Sequence, residues 1–325
     1  MNKSQMTNDK IDLSIVIVSY NVRELLEQCL RSIITDQLLG LEIFVVDNAS
    51  SDASAAMVRE KFAAQGARLI ENSENRGFAA ANNQGLAKSH GRYVMMLNPD
   101  TVVGEGALET LVKFMDAHPR AGACGGKLVF PDGSLQHSAF QCPTLAQVFL
   151  DFFPINWRLT EARINGRYPR SWYANGEPFR IDHPLGADFL VRRDTAEQVG
   201  WLDEKFFLNC EEIDWAMRIK RAGWEIWCMP QAEIVHYEAQ SKKQFLDASF
   251  VNLWSARHYL FSKHYSRAFN WAMWWIVRAG LWKLARDART EARRGLVTQD
   301  ELEERLGAYA RVRELLDADE RGLRG

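Results

Sequence analysis

Residues 13 to 19 read Leu13-Ser-Ile-Val-Ile-Val-Ser19, a run that is apolar and rich in β-branched side chains almost from end to end. Such a run is typical of a strand that is buried on both faces of a parallel sheet. Apolar residues at helical spacing follow from Asn21 to Ile34, and a second buried strand is predicted at Leu41-Glu-Ile-Phe-Val-Val46. This order of strand, helix and strand predicts two parallel strands joined by a helix.

The same alternation continues along the chain. We predict helices at 53–65, 78–89 and 106–115, and strands at 68–71 and 91–97. Because short polar segments link these elements, the expected fold is α/β, a mostly parallel sheet with helices on both faces. Prolines interrupt the alternation of strands and helices between about Lys127 and Asp182. This segment is predicted to form irregular loops and a short antiparallel pair of strands. A further helix is predicted at 211–222, and the chain is expected to be mainly helical after Asp247.

The composition is that of an ordinary globular protein. The 325 residues are 47% hydrophobic and 25% charged, and the net charge of −2 gives no reason to expect a nucleic-acid partner. The five cysteines are scattered without a C-x-x-C pair, which argues against a disulfide framework and favours a reducing cytoplasm. The first ten residues lack the apolar core of a signal peptide, and no apolar stretch approaches the ~20 residues of a spanning helix.

Three regions are expected along the chain: a flexible tail at 1–10, a catalytic domain at 11–245, and a C-terminal helical region at 246–325. Between Arg257 and Arg294 there are nine Lys or Arg residues and only two acidic ones. Five of the eleven tryptophans fall in or next to this segment: Trp254, Trp271, Trp274, Trp275 and Trp282. Trp and basic residues favour an anionic membrane surface, so we interpret Trp254–Arg294 as helices that rest on the inner face of the cell membrane.

Two alternatives stay open for this C-terminal region. The tryptophans can instead belong to a helical cap that packs on the catalytic domain. The charged tail from Thr298 to Gly325 is either a solvent-exposed helix or an element that joins identical chains into a homo-oligomer.

Polar clusters follow three predicted strands of the first half-sheet. They are Ser19-Tyr20-Asn21, Asp47-Asn-Ala-Ser-Ser-Asp52 and Asn98-Pro-Asp100. Each alone is explained by turn and capping chemistry, since Asn, Asp and Ser close turns and cap helices. Ligands of parallel α/β sheets, however, bind where strands end. Three clusters at consecutive strand ends therefore favour a ligand site.

Glycine-rich phosphate cradles are absent from the sequence. No G-x-G-x-x-G follows the first strand and no P-loop motif occurs, which disfavours dinucleotide dehydrogenases and P-loop enzymes. The phosphates of a bound nucleotide would have to be neutralised by side chains or by a metal ion. Asp100 can hold a hard divalent cation, or it can be a turn or N-cap residue ahead of the helix at 106–115.

A third set of acidic residues lies at Asn209-Cys-Glu-Glu-Ile-Asp-Trp215. Acids at a helix start complement the helix dipole, which explains any one of them. Adjacent glutamates can do more, because repulsion and partial burial raise the proton affinity of a carboxylate toward that of a general base. His236 follows a strand-like segment at 232–235 and is either a metal ligand or a structural histidine.

Taken in order, these segments resemble family 2 glycosyltransferases, which have the GT-A fold. The matching segments are Ser14–Asn21, Val45–Asp52, Asn75–Asn82, Leu97–Thr101, Gly186–Arg193, Phe206–Asp214 and His236. The resemblance covers residues 11–245 and implies a Rossmann-like α/β domain followed by the C-terminal helical segment. Asn98-Pro-Asp-Thr101 and the Glu211-Glu-Ile-Asp214 helix are most similar to bacterial rhamnosyltransferases of cell-surface polysaccharide synthesis.

The resemblance also implies roles for donor-binding residues. Asp47 is expected to accept the N3–H of uracil or thymine, with Tyr20 and Asn21 lining the base pocket and Arg76 near the diphosphate. The donor-binding set is completed by Ser19, Asp52 and Asn82 from the matching segments, together with Asn98 and Asp100. Asn98 replaces the first aspartate of the family's D-x-D motif, and it can still hydrogen-bond a ribose hydroxyl.

The metal and the general base follow from the same resemblance. Asp100 matches the metal-binding aspartate, and His236 matches the histidine that completes the coordination of Mg²⁺ or Mn²⁺. Glu212 falls where the family usually has the aspartate that acts as general base, with Glu211 beside it. Because this chain has Glu-Glu at that place, either glutamate can face the acceptor.

The expected function is an inverting, metal-dependent glycosyltransferase of the cytoplasm. The expected donor is dTDP-rhamnose, and the expected acceptor is a hydroxyl of a lipid-linked molecule or a polysaccharide. The alternatives are a UDP-sugar (GlcNAc, Glc or Gal) transferase of the same fold, a nucleotidyltransferase, and a catalytically silent glycan- or lipid-binding partner of a synthase. The Gly-rich, basic loop of nucleotidyltransferases is missing after the first strand.

Overall fold

The computed structural model describes residues 11–35, 40–238 and 246–323. They group into two compact units. The first lies within Met1–Phe140, Pro169–Lys205 and Glu211–Glu238, and the second within Gln141–Tyr168, Phe206–Cys210 and Ala239–Gly325. The predicted tail at 1–10 and the predicted domain boundary at 245 lie outside the described residues.

All the described strands belong to the first unit. They are β1 Leu13–Ser19, β2 Leu41–Asp47, β3 Ala67–Glu71, β4 Tyr93–Leu97, β5 Thr101–Val103, β6 Ala121–Val129, β7 Leu135–Gln136, β8 Ala139–Phe140, β9 Phe179–Arg180, β10 His183–Pro184, β11 Asp188–Arg192 and β12 Glu225–His236.

Helices occur in both units. They are α1 Arg23–Thr35, α2 Ser54–Lys61, α3 Phe78–Leu86, α4 Ala107–Ala117, α5 Leu145–Phe152, α6 Trp157–Thr160, α7 Arg170–Ala174, α8 Arg193–Val199, α9 Glu211–Arg221, α10 Leu246–His264, α11 Arg267–Arg293 and α12 Gln299–Leu323. Short 3₁₀ turns add 63–65 and 163–165.

The main sheet has the strand order β3-β2-β1-β4-β11-β6-β12-β5. Its first four strands are parallel, with Ser19 opposite Asp47 and Asp47 opposite Glu71. β11 runs antiparallel to both β4 and β6, whereas β12 is parallel to β6 and antiparallel to β5. The predicted α/β fold with a mostly parallel sheet is therefore confirmed, and the carboxyl ends of β1, β2 and β4 meet at one edge.

The hydrophobic core behind this edge is formed largely by the apolar residues of the predicted strands and helices. On α1 the buried residues Leu26, Cys29, Leu30 and Ile33 recur at helical spacing, and they pack in one cluster with the buried residues of β1 and β2. Full burial of one such side chain contributes roughly 1.5–3 kcal/mol. The loops that follow β1 and β2 are thus attached to strands that are anchored in the hydrophobic core.

Some boundaries differ from those predicted by the sequence. The helix expected at 53–65 ends at Lys61 and is followed by the short 3₁₀ turn, which Gly66 terminates with a left-handed φ of 96°. The helix expected at 106–115 begins at Ala107 with Gly106 as its cap. Asp100 lies in the turn between β4 and β5, so it does not cap that helix.

The second unit is helical in its described part. Trp254, which is 3% exposed, stacks on Phe152 with ring centroids 4.9 Å apart. α11 is buried along Met273, Val277 and Leu281. No helix among the described residues is long and apolar enough to cross a bilayer.

Candidate active site

The loops after β1 and β2 hold each other in place. Asn48 N–H donates to the Ser19 carbonyl at 2.8 Å. Asn21, which has a left-handed φ of 54°, donates from its backbone N–H to Ser50 Oγ and accepts from the Ser51 N–H at 2.7 Å. The predicted base-pocket residue Asn21 therefore serves as the brace between the two loops.

Asp47 is deeply buried, and one of its carboxylate oxygens accepts no hydrogen bond from the described residues. Its side chain is 4% exposed, and Oδ2 accepts from the Ser50 N–H at 3.0 Å. Oδ1 is buried but meets no donor in the described ranges of the chain. Burying a carboxylate oxygen without a hydrogen bond is costly, so this atom is suited to a donor supplied by a ligand.

Asp52 has a different situation, because both of its carboxylate oxygens are in use. One oxygen accepts from the Arg23 N–H at 2.8 Å, and the other accepts from the N–H and hydroxyl of Ser54. Partial burial alone would raise the pKa of Asp52, but the hydrogen bonds from Ser54 and Arg23 outweigh it and lower the pKa. Asp52 thus connects the start of α1 to the start of α2. Any contribution that it makes to donor binding would be indirect, because it holds the loop after β2 in place.

The remaining residues of the predicted donor set are spread over three elements. Tyr20 is 46% exposed, and Arg76 is exposed in the segment before α3, where its N–H donates to Asn48 Oδ1 at 3.0 Å. Asn82 is buried on α3, with its amide donating to the Phe78 carbonyl and its Oδ1 buried without a described donor. Ser19 Oγ is also buried without a described partner.

Asn48 is a residue whose importance the sequence did not indicate. Its side chain donates to Asn75 Oδ1 at 2.8 Å, and its Oδ1 accepts from Asn72 at 3.1 Å as well as from Arg76 N–H. It therefore attaches the segment that carries Arg76 to the end of β2. A single Asn inside a turn-like cluster gives no signal for this, since its partners lie far along the chain.

Asp100 and His236, the two residues predicted as metal ligands, lie side by side. β12 pairs with β5 so that His236 lies opposite Thr101, and Asp100 Oδ1 is 3.3 Å from His236 Nε2. His236 is 5% exposed, and the Asp100 side chain is 16% exposed. The main chain supports the pair, because the Tyr237 N–H donates to the Asp100 carbonyl at 2.9 Å.

Gln136 and Glu238 orient the histidine, and neither was identified from the sequence. His236 Nδ1 lies 3.0 Å from Gln136 Oε1, and the Gln136 amide nitrogen donates to Glu238 at 3.2 Å. An amide oxygen only accepts, so Nδ1 donates to Gln136 and Nε2 is the ring nitrogen directed at Asp100. A cation that binds both the Asp100 carboxylate and Nε2 would suit this arrangement.

This donor set fits a divalent metal. One carboxylate oxygen and one imidazole nitrogen held by a hydrogen-bonded partner suit Mn²⁺, and the carboxylate also suits Mg²⁺. Within the described ranges no group of three or more His, Cys, Asp or Glu side chains is placed to hold a metal. Asp100 and His236 are therefore a pair that a bound substrate would have to complete.

α9 presents the two predicted carboxylates of the base position. Asn209 and Cys210 precede it with consecutive left-handed φ values of 75° and 68°, which are strained for non-glycine residues. The helix is fixed by Trp215, whose indole N–H donates to the Gly200 carbonyl, and by the pair Arg218–Asp214 at 2.9 Å.

Glu211 and Glu212 have different environments. Glu211 is buried, and burial followed by the negative charge of Glu212 raises the pKa of Glu211 well above its usual value. Glu212 is only half-buried. Of the two glutamates, Glu212 is the more exposed residue.

The base position is connected to the end of β4 through the segment before β11. A Cβ atom placed on Gly186 would lie 3.5 Å from Glu212 Cγ, so the Glu212 side chain rests on this glycine. The neighbouring Ala187 carbonyl accepts from the Asn98 N–H at 2.9 Å. Gly186 and Ala187 thus place Glu212 next to the Asn98–Asp100 turn.

Two other acids near the site, Asp214 and Asp188, are less accessible. Both are 0% exposed. Asp214 is paired with Arg218, and Asp188 accepts a short hydrogen bond from the Gly126 N–H. A general base must reach the acceptor, and the full burial of both side chains disfavours them for that role.

Replacing Asp188 with asparagine is expected to remove part of the pH dependence of folding stability. Burial raises the pKa of Asp188 well above its usual value, although the Gly126 hydrogen bond opposes this. The stability contributed by the retained proton is fully present below the ordinary pKa of about 3.9, and it is lost as the pH rises through the folded pKa, by at most ~1.4 kcal/mol per unit. Thermal unfolding should show the melting temperature of Asp188→Asn rising relative to wild type between about pH 4 and pH 8. A constant difference would contradict the assignment.

Comparison with known proteins was made by family model, by sequence and by structure. The model of glycosyl transferase family 2 matches residues 14–187, more than half of the chain. An N-acetylglucosaminyl-diphospho-decaprenol L-rhamnosyltransferase of Mycobacterium tuberculosis is 29% identical over 249 residues, which cover 70% of this chain and 77% of that protein.

Two solved structures show a similar fold. A mannosyltransferase from Pyrobaculum calidifontis, in complex with GDP-Man and Mn²⁺, has a TM-score of 0.56 at 17% identity and covers 95% of this chain and 86% of its own. GalNAc-T7 with UDP, GalNAc and Mn²⁺ has a TM-score of 0.53 at 17% identity, and the match covers 70% of this chain but only 44% of that one. Together with the extent of the family match, these findings show that the chain belongs to glycosyl transferase family 2 and is a nucleotide-sugar-dependent hexosyltransferase with the GT-A fold.

Proposed function

We propose that the chain is an inverting, metal-dependent glycosyltransferase that moves a sugar from a pyrimidine nucleotide-diphosphate donor onto an acceptor hydroxyl. The observation that carries this proposal is the Asp100–His236 pair at 3.3 Å, with Gln136 fixing the imidazole. It stands at the edge of the sheet where β1, β2 and β4 end, which is the usual ligand edge of parallel α/β sheets.

The base of the nucleotide would be recognised by Asp47. Its buried Oδ1 accepts the N3–H of uracil or thymine, a hydrogen bond that the described chain does not supply. Tyr20 is exposed beside this loop and is available to line the base. Arg76 is exposed on the segment held by Asn48, where it can neutralise part of the diphosphate charge.

Transfer then needs one proton movement by the protein. Glu212 removes the proton of the acceptor hydroxyl as that oxygen attacks the anomeric carbon from the face opposite the diphosphate. The bond to the diphosphate breaks in the same displacement, which inverts the anomeric centre. A metal ion held by Asp100 and His236 supplies electrostatic stabilisation of the charge that develops on the leaving diphosphate.

Rhamnose from dTDP-rhamnose is the proposed sugar, and the acceptor is a lipid-linked molecule or a polysaccharide. Support comes from the Mycobacterium tuberculosis relative, whose name gives an L-rhamnosyltransferase acting on a diphospho-decaprenol. A UDP-sugar donor carrying GlcNAc, Glc or Gal is the second candidate. Asp47 favours it equally, because uracil and thymine present the same N3–H.

We further propose that the second unit binds the anionic inner surface of the cell membrane. Apart from Tyr20, every large apolar side chain that is exposed in the described ranges belongs to this unit. Three of them are Trp271, Trp275 and Trp282 on α11, which are 65%, 53% and 67% exposed. Exposed tryptophans among basic residues are the side chains that favour a bilayer interface.

Asp47→Asn is expected to reduce the selectivity for pyrimidine nucleotides. An asparagine amide can turn its NH₂ group toward N3–H, so the charge-assisted hydrogen bond of ~1.5–3 kcal/mol is lost. Calorimetric titration should show UDP and dTDP binding about 10- to 150-fold more weakly, with the weak binding of ADP and GDP unchanged. If wild-type protein binds UDP and dTDP no better than ADP or GDP, this assignment of Asp47 is wrong.

A further inference from the structure

The exposed tryptophans of α11 form a stripe on one face of the helix. Trp271, Trp275 and Trp282 are separated by four and seven residues, so their side chains project in nearly the same direction. Arg278 and Arg289 fall on the same face by the same spacing. We call this surface the Trp stripe. α11 packs against α12.

A cavity of about 350 Å³ opens beside the Trp stripe, between α11 and α12. From α11 it is lined by Arg278, Trp282 and Arg289, and from α12 by Leu306, Tyr309 and Arg313. The small residues Ala285 and Ala310 leave the space open between the two helices. The cavity therefore has an apolar floor and a rim of arginines.

The three arginines differ in their partners. Arg278 is paired with Asp317 at 2.6 Å and lies over the Trp274 ring at 4.4 Å, so its position is fixed. Arg289 makes one long contact, to the Ala285 carbonyl at 3.4 Å. Neither Arg289 nor Arg313 has a carboxylate partner among the residues that the structure describes, and both are exposed. Two uncompensated guanidinium groups thus face one apolar cavity.

Guanidinium groups bind phosphate oxygens in a forked, bidentate manner, and an apolar floor binds hydrocarbon. A ligand that fits both must carry a phosphate next to an aliphatic chain. We propose that this cavity binds the phosphate headgroup of an anionic phospholipid, with Arg289 and Arg313 on the phosphate and Leu306 and Tyr309 against the first carbons of the acyl chains. The inference rests on the membrane contact proposed above, and the adjoining Trp stripe is what favours a lipid over a soluble phosphate.

The test is co-sedimentation of the full chain with phosphatidylglycerol vesicles and with phosphatidylcholine vesicles. The pocket variant is Arg289→Gln/Arg313→Gln. The matched control is Arg294→Gln/Arg311→Gln, which removes the same charge from the same region, at side chains that are exposed and do not line the cavity. Thermal unfolding of each protein shows that it is folded. A charge-preserving variant, Arg289→Lys/Arg313→Lys, separates the forked geometry from charge alone.

We expect partition of the wild type onto phosphatidylglycerol to fall about thirtyfold in the pocket variant, since each of the two lost guanidinium–phosphate contacts contributes ~1 kcal/mol. Partition should fall far less in the control, which loses charge but no contact in the cavity. The lysine variant should lie between them. Equal losses in pocket variant and control would overturn the pocket and leave the membrane contact standing, whereas a wild type that binds neither vesicle would overturn both.

Two further outcomes would identify a different occupant. One outcome is that millimolar inorganic phosphate both releases the wild type from phosphatidylglycerol vesicles and raises its melting temperature. In that case the site binds a soluble anion. If light scattering shows a dimer that the pocket variant abolishes and vesicles do not compete for, the surface is an interface between two copies of the chain. Either result would contradict the lipid assignment.

Discussion

Glu212→Gln is expected to reduce kcat by about 10²–10⁴-fold, the usual contribution of a general base. Glutamine keeps the size and polarity of the side chain but cannot accept the acceptor's proton. Affinity for the donor should remain within a small factor of wild type, since the base contacts the acceptor hydroxyl. Steady-state kinetics combined with calorimetric donor binding would measure both quantities.

Glu211→Gln is the matched control for that experiment. Burial and the neighbouring charge of Glu212 raise the pKa of Glu211, so a neutral glutamine of the same size should disturb this buried position little. We expect a far smaller loss of kcat in this variant. If Glu211→Gln is inactive and Glu212→Gln is nearly normal, the two roles must be exchanged, and if both variants stay active the base is another residue.

Asp100→Ala should eliminate metal-dependent turnover. An ion that stabilises developing phosphate charge supplies several kcal/mol, so we expect a loss of about 10²–10⁴-fold in kcat/KM. The reason is that, once Asp100 is removed, His236 is the one remaining ligand of the proposed pair. Direct titration with Mn²⁺, followed by its electron paramagnetic resonance signal, should show weaker ion binding independently of any activity.

The control for this prediction is Asp194→Ala, an exposed carboxylate at the start of α8. It follows the end of β11 that pairs with Tyr93, whereas Asp100 follows the opposite end of β4. Mn²⁺ affinity should be unchanged in Asp194→Ala. Full activity of Asp100→Ala, or of the wild type in excess chelator, would contradict the metal assignment.

The parallel half of the sheet was predictable because its signals are local. β1, β2 and β4 are continuous apolar runs, and burial on both faces requires that composition. β6 was not predicted, because its sequence Ala-Gly-Ala-Cys-Gly-Gly-Lys-Leu-Val has little strand propensity. Its glycines are required by residues distant in sequence: a Cβ atom on Gly126 would lie only 2.5 Å from the Ala232 carbonyl oxygen.

The same distinction applies to the candidate site. Asp47, Asp100 and the Glu211–Glu212 pair stand in short motifs whose order along the chain is informative. Gln136 and Glu238 are not in such a motif, and they reach His236 only because β7 pairs with β6 and β12 runs alongside. Side chains that orient other side chains across such pairings carry no local signature, so a single sequence does not reveal them.

Transfer by this site is tested most directly by nuclear magnetic resonance of the reaction with dTDP-rhamnose, Mn²⁺ and a lipid-linked acceptor carrying a terminal sugar hydroxyl. We predict release of dTDP only when the metal is present, and a new glycosidic linkage whose anomeric carbon–proton coupling corresponds to the configuration opposite to that of the donor. A UDP-sugar in place of dTDP-rhamnose should give the same pattern if it is the true donor. A product that retains the donor's anomeric configuration, or equal turnover in excess chelator, would contradict an inverting transfer that depends on the Asp100–His236 pair.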